Sequence, residues 1–144
     1  MLEIGNGGMT AEEYRTHMSL WSMLAAPLIA GNDLRSTDAA TRDILTNREV
    51  IGVDQDSLGK AGYRAVKSGD TEVWLRPLAG GAHAVALFNR GAAESEVAVR
   101  WSDIKLTGPL KVRDLWAHAN VGAQADGYSA KVPSHGVVML RVAE

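Results

Sequence analysis

The spacing of apolar residues changes near Gly59 and divides the chain into two parts. Before Gly59, apolar residues recur every three or four positions, which is the period of an amphipathic helix. After Gly59, apolar and polar residues alternate between turn signals rich in Gly, Asn and Pro, which is the pattern of β-strands. The spacing therefore predicts a helical part over residues 1–58 and a β-part over residues 59–144.

The first predicted helix starts at a capping box. Thr10 and Glu13 are spaced so that the hydroxyl accepts the N–H of Glu13 while the carboxylate accepts the N–H of Thr10. Pro27 is expected to end the helix, because proline lacks a backbone N–H and disfavours helix in the preceding residue. The predicted buried stripe consists of Tyr14, His17 or Met18, Trp21, Leu24 and Ala25, broadened by Leu20 and Met23.

A short apolar run and a second helix complete the first part. Leu28–Ala30 contains no polar residue, which is typical of a strand buried on both faces in a parallel sheet. The second helix is expected to be capped by Ser36 or Thr37, with Asp38 near its positive end, and to close at Asn47. Because one parallel strand cannot form a sheet by itself, this helix–strand–helix unit is expected to be incomplete.

The second part predicts five to seven short strands in an antiparallel sandwich. Glu72–Arg76 and His83–Asn89 alternate on either side of a Gly-Gly turn and predict a hairpin. The further predicted strands are Glu96–Trp101, Lys111–Trp116 and Val137–Val142. Strands that recur at intervals of roughly 8–12 residues with turn signals between them are typical of a β-sandwich.

The composition of the 144 residues excludes several classes of protein. A formal charge of −2 and the lack of Lys and Arg clusters argue against a nucleic-acid partner. The absence of cysteine rules out disulfides, thiolate nucleophiles and cysteine-ligated zinc. The longest apolar run, Met23–Ala30, contains Pro27 and is far shorter than the ~20 residues of a membrane span, so no membrane association is expected. No signal peptide is predicted, and the composition is compatible with either a bacterial cytoplasmic or a periplasmic or secreted location.

Few residues point to chemistry by their spacing. His17, His83, His118 and His135 show no metal-ligand spacing, so neither a metal nor another cofactor is predicted. The Gly5–Gly8 run before the first helix lacks the remainder of a phosphate-binding motif, so it is interpreted as a plain loop.

Two further candidates carry open alternatives. Asn32 and Asp33 follow the short strand, where α/β folds place functional groups, and they are equally well explained as a turn and a helix cap. Trp74, Trp101 and Trp116 are able to form a sugar-stacking platform, although their alternating placement favours the sandwich core.

Four stretches occur in an order that is found in one known family. The stretches are Met1–Thr10 (MLEIGNGGMT), Trp21–Arg35 (WSMLAAPLIAGNDLR), Asn47–Lys60 (NREVIGVDQDSLGK) and Glu72–Leu78 (EVWLRPL). They resemble, respectively, the segment after an Asp-Pro-Asp, the late barrel helix and strand, the passage into the C-terminal domain and the first hairpin of that domain in family 27 glycoside hydrolases, the α-galactosidases. Since the matches run in order over the whole chain, the set is specific.

The resemblance implies an α+β fold. Residues 1–58 correspond to the last helix–strand–helix units of a (β/α)₈ catalytic barrel, and residues 59–144 correspond to a C-terminal antiparallel β-sandwich domain. It also implies a retaining hydrolase that removes terminal α-galactose, in which one carboxylate attacks the anomeric carbon and a second protonates the leaving oxygen. An α-galactoside is the implied substrate. An α-N-acetylgalactosaminidase or another α-glycosidase specificity stays open, because the sugar-selecting loops of the family lie upstream.

The resemblance assigns few site residues to this chain. Both catalytic aspartates of the family lie on earlier barrel strands, so the chain alone is expected to be inactive. Asp54 and Asp56 correspond to a structural turn of the family, so they are not interpreted as replacements for the catalytic aspartates. Met1 corresponds to a position that lines the galactose pocket, while Asn32 and Asp33 correspond to the loop after the last strand, where support rather than sugar contact is expected.

The alternative function is a non-catalytic β-sandwich that binds carbohydrate or a partner domain. Residues 1–58 are then a docking arm, and Trp74, Trp101 and Trp116 lie exposed on one sheet face. Burial of these tryptophans favours the hydrolase interpretation. Under that interpretation, the unpaired strand and the apolar helix face are expected to be covered by the preceding barrel part or by a second copy of the chain.

Overall fold

The computed structural model describes all residues from Met1 to Glu144. Three helices precede eight strands. The helices are α1 Ala11–Met23, α2 Ala39–Leu45 and α3 Arg48–Asp54. The strands are β1 Tyr63–Ser68, β2 Thr71–Pro77, β3 His83–Asn89, β4 Ser95–Arg100, β5 Leu110–Asp114, β6 Ala119–Gln124, β7 Gly127–Val132 and β8 Val137–Ala143.

Helix α1 begins as the sequence predicts and ends earlier. The capping box is formed, because the Glu13 N–H donates to Thr10 Oγ1 at 3.2 Å and the Thr10 N–H donates to Glu13 Oε2 at 2.7 Å. The helix stops at Met23, and Ala25 takes a positive φ of 54° two residues later. The prediction that Leu24 and Ala25 belong to the buried stripe is therefore wrong, since both leave the helix and are exposed. The buried side of α1 consists of Tyr14, Met18, Ser19, Ser22 and Met23.

The predicted strand Leu28–Ala30 is reduced to one parallel bridge. Ala30 pairs with Leu2, and the Leu2 N–H donates to the Ile29 carbonyl at 2.8 Å. The prediction that this strand is buried on both faces is wrong, because Ile29 is 56% exposed and Ala30 is exposed. A parallel strand is buried only where neighbouring strands and helices cover it, and here it has one neighbour.

The second helical segment is two helices rather than one. Asp38, not Ser36 or Thr37, caps α2 by accepting the Thr41 N–H at 2.7 Å. Asn47 does not merely close α2, because its Oδ1 accepts the N–H groups of Glu49 and Val50 and so caps α3. The sequence contains this signal, an Asn followed by an acidic first turn, but the apolar spacing alone does not reveal the short helix.

The β-part is an antiparallel sandwich of unequal sheets. A six-stranded sheet has the order β1-β2-β3-β8-β5-β6, and β4 pairs with β7 in a second sheet. The predicted β2–β3 hairpin is confirmed, as are the strands at β4, β5 and β8. Strands β1, β6 and β7 are missing from the prediction. Strand β6 lies almost wholly exposed, so it carries no alternation for the sequence to show.

Both faces of the six-stranded sheet are covered, which explains the unbroken apolar run of β3. Val85 and Leu87 point toward β4 and β7, whereas Ala84, Ala86 and Phe88 point toward the helices. The helix-side core also contains Leu2, Ile4, Tyr14, Met18, Met23, Ile44, Val50 and Val53. Residues 1–58 therefore share one hydrophobic core with the sandwich instead of extending from it as an arm.

Arg76 on β2 joins the two parts of the chain. It is fully buried, and its guanidinium donates to the carbonyl of Ser22 at the end of α1 and to the carbonyl of Asp54 at the end of α3, the latter at 3.2 Å. Carbonyls in the last turn of a helix lack intrahelical donors and carry the negative end of the helix dipole, so a cation satisfies them. Beside it, the Gly62 N–H donates to the Met23 carbonyl at 2.6 Å.

A second contact between the parts is ionic and partly exposed. Glu49 on α3 accepts from Arg113 of β5 at 2.6 and 2.8 Å, and His118 Nδ1 lies 2.7 Å from the same carboxylate. These hydrogen bonds, those from Arg113 first, lower the pKa of Glu49 to about 2. Because the two guanidinium bonds are parallel, they fix the orientation of α3 on the sheet as well as its distance.

Replacement of Arg76 with alanine is expected to lower the free energy of unfolding by about 3 kcal/mol, because two buried carbonyls lose their donors and a cavity remains. Urea unfolding followed by tryptophan fluorescence measures the change. Arg100→Ala, at an exposed position on β4, is the matched control and should change stability by less than about 0.5 kcal/mol. Equal effects of the two substitutions would show that Arg76 does not hold the parts together.

The Glu49 contact predicts a specific acid dependence of stability. Since the pKa in the folded state is lowered from 4.5 to about 2, the contribution is complete above pH 4.5 and is lost as the pH falls toward 2. Glu49→Gln should cost about 1 kcal/mol at pH 7 and flatten the decline of stability across this window. Glu96→Gln, on the exposed side of β4, is the control and should leave the decline unchanged. Parallel stability–pH curves for the parent and Glu49→Gln would contradict this assignment.

Candidate functional site

The loop that follows Leu2 and the loop that follows Ala30 lie side by side, next to the parallel bridge between these two residues. A Cβ placed on Gly31 would lie 2.5 Å from the Leu2 carbonyl oxygen and 3.5 Å from Met1 Cβ, so Gly31 and Met1 are neighbours. A Cβ placed on Gly5 would meet the Asn32 amide nitrogen at 3.0 Å, which puts Asn32 against the start of the next loop. The structure thus places Met1 beside Gly31 and Gly5 beside Asn32, next to the Leu2–Ala30 bridge.

The three predicted site residues, Met1, Asn32 and Asp33, have different surroundings. Met1 is 77% exposed and free to contact a ligand or a covering segment. Asn32 is half-buried, and its amide donates to Thr37 Oγ1 at 3.2 Å while its Oδ1 is buried without a donor. Asp33 is exposed and accepts from Arg35 Nε at 2.9 Å and Nη2 at 2.7 Å. These bonds from Arg35 lower the pKa of Asp33.

Asp33 therefore has a local structural role. Its Oδ1 also accepts the Arg35 N–H at 3.0 Å and caps the short 3-10 turn Leu34–Ser36. Asn32 keeps one unsatisfied buried acceptor, and it is the member of the pair whose polar group is still available to a donor.

Two side chains of helix α1 hold the loop between Glu3 and Met9 through hydrogen bonds. The Gly7 N–H donates to Tyr14 Oη at 2.8 Å, and the Glu3 N–H donates to His17 Nε2 at 3.1 Å. Burial lowers the pKa of His17, which favours the neutral imidazole that this acceptor role requires. His17 also packs on Trp21, with ring centroids 4.2 Å apart. Sequence reasoning identifies His17 only as a packed or hydrogen-bonded helix residue and does not find Tyr14 at this loop.

The remaining candidates lie away from this site. Asp56 accepts the N–H groups of Leu58 and Ala79, so it forms the turn that the sequence suggests. Asp54 is buried at the end of α3, and burial raises its pKa. No group of three or more His, Asp or Glu residues is arranged to hold a metal ion. None of the helices has the length and apolar character needed to cross a bilayer.

The tryptophans do not form an exposed platform. Trp101 is buried and donates to the Gln124 carbonyl at 3.0 Å, and Trp74 is half-buried, packed edge-on against Phe88. Trp116 is half-buried, and its indole N–H donates to Ser19 Oγ of α1 at 2.9 Å. Trp74 and Trp101 thus pack around the sheet, and Trp116 connects the sandwich to helix α1.

The architecture is that of a barrel-type helix–strand unit followed by a β-sandwich, and comparisons with known proteins give the same answer. Residues 68–142 match the family model of the α-galactosidase C-terminal β-sandwich domain, and residues 1–56 match that of α-galactosidase A. The chain belongs to the α-galactosidase family of glycoside hydrolases. The boundary between residues 58 and 59 stays a prediction.

Individual relatives agree over the whole chain. The α-galactosidase of Coffea arabica is 48% identical over 137 residues, which cover 94% of this chain and 36% of that protein. The crystal structure of α-galactosidase I from Mortierella vinacea superposes with a TM-score of 0.96 at 36% identity, over 100% of this chain and 38% of that one. A family 27 β-L-arabinopyranosidase from Geobacillus stearothermophilus gives a TM-score of 0.92 at 30% identity, over 100% and 36% respectively. The chain spans about a third of the length of the curated relatives it matches.

Gly31→Ala is expected to destabilise the chain by about 2 kcal/mol or more, because the new methyl group would lie 2.5 Å from the Leu2 carbonyl oxygen and force the bridge apart. Gly52→Ala is the matched control. It lies on α3 with nothing within 4 Å of the added Cβ, so it should raise stability by roughly 0.5–1 kcal/mol through helix propensity. Thermal unfolding measures both, and a neutral Gly31→Ala would refute the close approach of the two segments.

Proposed function

We propose that this chain forms the C-terminal part of a retaining α-galactosidase that removes terminal α-galactose residues. The observation that carries the proposal is the parallel Leu2–Ala30 bridge, whose two segments are joined through helix α1. Strand, helix and parallel strand is the repeating unit of a (β/α)₈ barrel, and the loops after such strands form the active sites of barrel enzymes.

In this proposal, the preceding barrel strands supply the acid and the nucleophile, and this chain supplies part of the pocket wall. Met1 lines the galactose pocket. Asn32 and Asp33 support the loop after the last strand, and the buried Oδ1 of Asn32 is available to a donor from a neighbouring segment. The exposed edge at Ile29 and Ala30 is where the preceding part of the barrel packs, because an unpaired strand edge and an apolar surface favour a partner.

The chain alone is expected to be inactive, and a fusion is expected to be active. The fusion joins the part of Coffea arabica α-galactosidase that precedes the matched segment to Met1 of this chain. Release of nitrophenol from p-nitrophenyl α-galactoside is the measurement, with the coffee barrel part alone as the negative control and the intact coffee enzyme as the positive control. Hydrolysis by the 144-residue chain above the blank, or a folded fusion without activity, would overturn the proposal.

The same fusion tests the pocket role of Met1. Met1→Ala should raise KM by about fivefold, which corresponds to roughly 1 kcal/mol of lost contact with substrate, and change kcat less. Met9→Ala, on the neighbouring loop, is the matched control and should leave KM unchanged. The p-nitrophenyl α-N-acetylgalactosaminide and β-L-arabinopyranoside substrates, assayed beside the α-galactoside, determine which sugar the assembled pocket prefers.

A further inference from the structure

A second concave surface of the chain lies between the helices and the sandwich, apart from the Leu2–Ala30 bridge and the Gly5–Met9 loop. It is a cleft of about 570 Å³, within the range of small-molecule sites. Helix α1 contributes Arg15, helix α2 contributes Asp43, and the first turn of α3 contributes Arg48 and Glu49. The turn between β5 and β6 contributes Trp116 and His118. Both parts of the chain therefore build this cleft.

The aromatic wall of the cleft is fixed in place. Besides the indole bond to Ser19, the Trp116 backbone N–H donates to Asp114 Oδ1 at 3.0 Å. The side chain is half-buried, packs against the helix-side core and still lines the cleft. A side chain that is held before the ligand arrives loses little conformational freedom on binding, so its apolar surface contributes more to affinity.

The charged groups of the cleft are balanced in sign. Asp43 and Glu49 provide two carboxylates, and Arg15 and Arg48 provide two guanidinium groups. Glu49 is held by Arg113 and His118, and Arg15 is paired with Glu12. Asp43 and Arg48 make no ion pair or side-chain hydrogen bond, so one acceptor and one strong donor remain free.

This combination favours a particular class of ligand. A cleft without net charge offers no selective attraction to an anion or a cation. Ile44 and Trp116 are its only apolar residues, which is too little apolar surface for a lipid tail. A neutral polyol with one apolar face matches an indole wall beside a free carboxylate and a free guanidinium, because each hydroxyl both donates and accepts hydrogen bonds.

We propose that this cleft is a binding site for a neutral pyranose sugar, distinct from the proposed catalytic pocket. The sugar ring packs on Trp116, and its hydroxyl groups bridge Asp43 and Arg48. The site does not depend on the proposed catalytic function. Only the choice of galactose as the first probe rests on that function.

The test is a titration of the ¹⁵N-labelled chain with galactose, glucose and mannose in separate NMR experiments. At least one sugar is expected to shift the Trp116 indole N–H signal and the amide signals of residues 43–49, with a dissociation constant of about 1–10 mM. Asp43→Ala/Arg48→Ala should weaken this binding at least about tenfold without loss of fold, since neither side chain has a partner to lose. Glu96→Ala/Lys131→Ala removes the same two charge types from the exposed β4–β7 pair and is the matched control.

Several outcomes would overturn the proposal. One is the absence of saturable shifts with any of the three sugars, and another is a set of shifts that map to other residues. Unchanged affinity in Asp43→Ala/Arg48→Ala would be equally decisive, as would the same shifts caused by inorganic phosphate at lower concentration, which would mark an anion site. Binding of glucose or mannose alone supports the cleft whatever the fusion enzyme does, so this test and that of the proposed function fail separately.

Discussion

The buried guanidinium of Arg76 is the interaction on which the relation between the two parts of the chain depends. A charge that is completely removed from water is costly unless its hydrogen bonds are supplied by the protein. Here the carbonyls of Ser22 and Asp54 accept from the two terminal guanidinium nitrogens, whereas Nε is buried without a partner, and both carbonyls belong to helix ends that need a donor. The requirement is mutual, because neither helix end nor cation is satisfied if α1 and α3 move away from β2.

The double burial of the central sheet extends this constraint to the rest of the fold. Alternate residues of β3 enter two different cores, so the helices and the small β4–β7 sheet pack against the same strands. Because packed interiors transmit displacement, a shift of β3 toward one layer opens space on the other. The sandwich is therefore also the platform on which α1, α2 and α3 are arranged.

The features predicted from sequence are those that neighbouring residues determine. The capping box at Thr10 and the β2–β3 hairpin depend on spacings of a few residues, and both are present. Helix α3 has seven residues, too few to be stable alone, and it exists because Val50 and Val53 pack in the helix-side core. Strand β6 has neither alternation nor burial, and its strand geometry comes from its hydrogen bonds to β5.

The same distinction applies to the candidate site. The position of Asn32 and Asp33 after a strand is visible in the sequence, and so is the turn chemistry that makes Asp33 a cap. The approach of Gly5 to Asn32 and the ion pair between Glu49 and Arg113 join residues 27 and 64 positions apart. No local pattern encodes such pairs. They arise only when the sheet order is known, since that order determines which loops and which helix meet which strand.

A continuous series of contacts links the sandwich to the loop beside Met1. Arg76 and Trp116 hold α1 through Ser22 and Ser19, and α1 in turn holds the loop through Tyr14 and His17. Each step is a hydrogen bond from or to a buried or half-buried side chain, so none of these groups is free to shift without losing a partner. The position of the loop beside Met1 is thus set by contacts on the opposite side of the helix. Under the proposed function, the β-sandwich would accordingly influence the sugar pocket by determining where α1 lies.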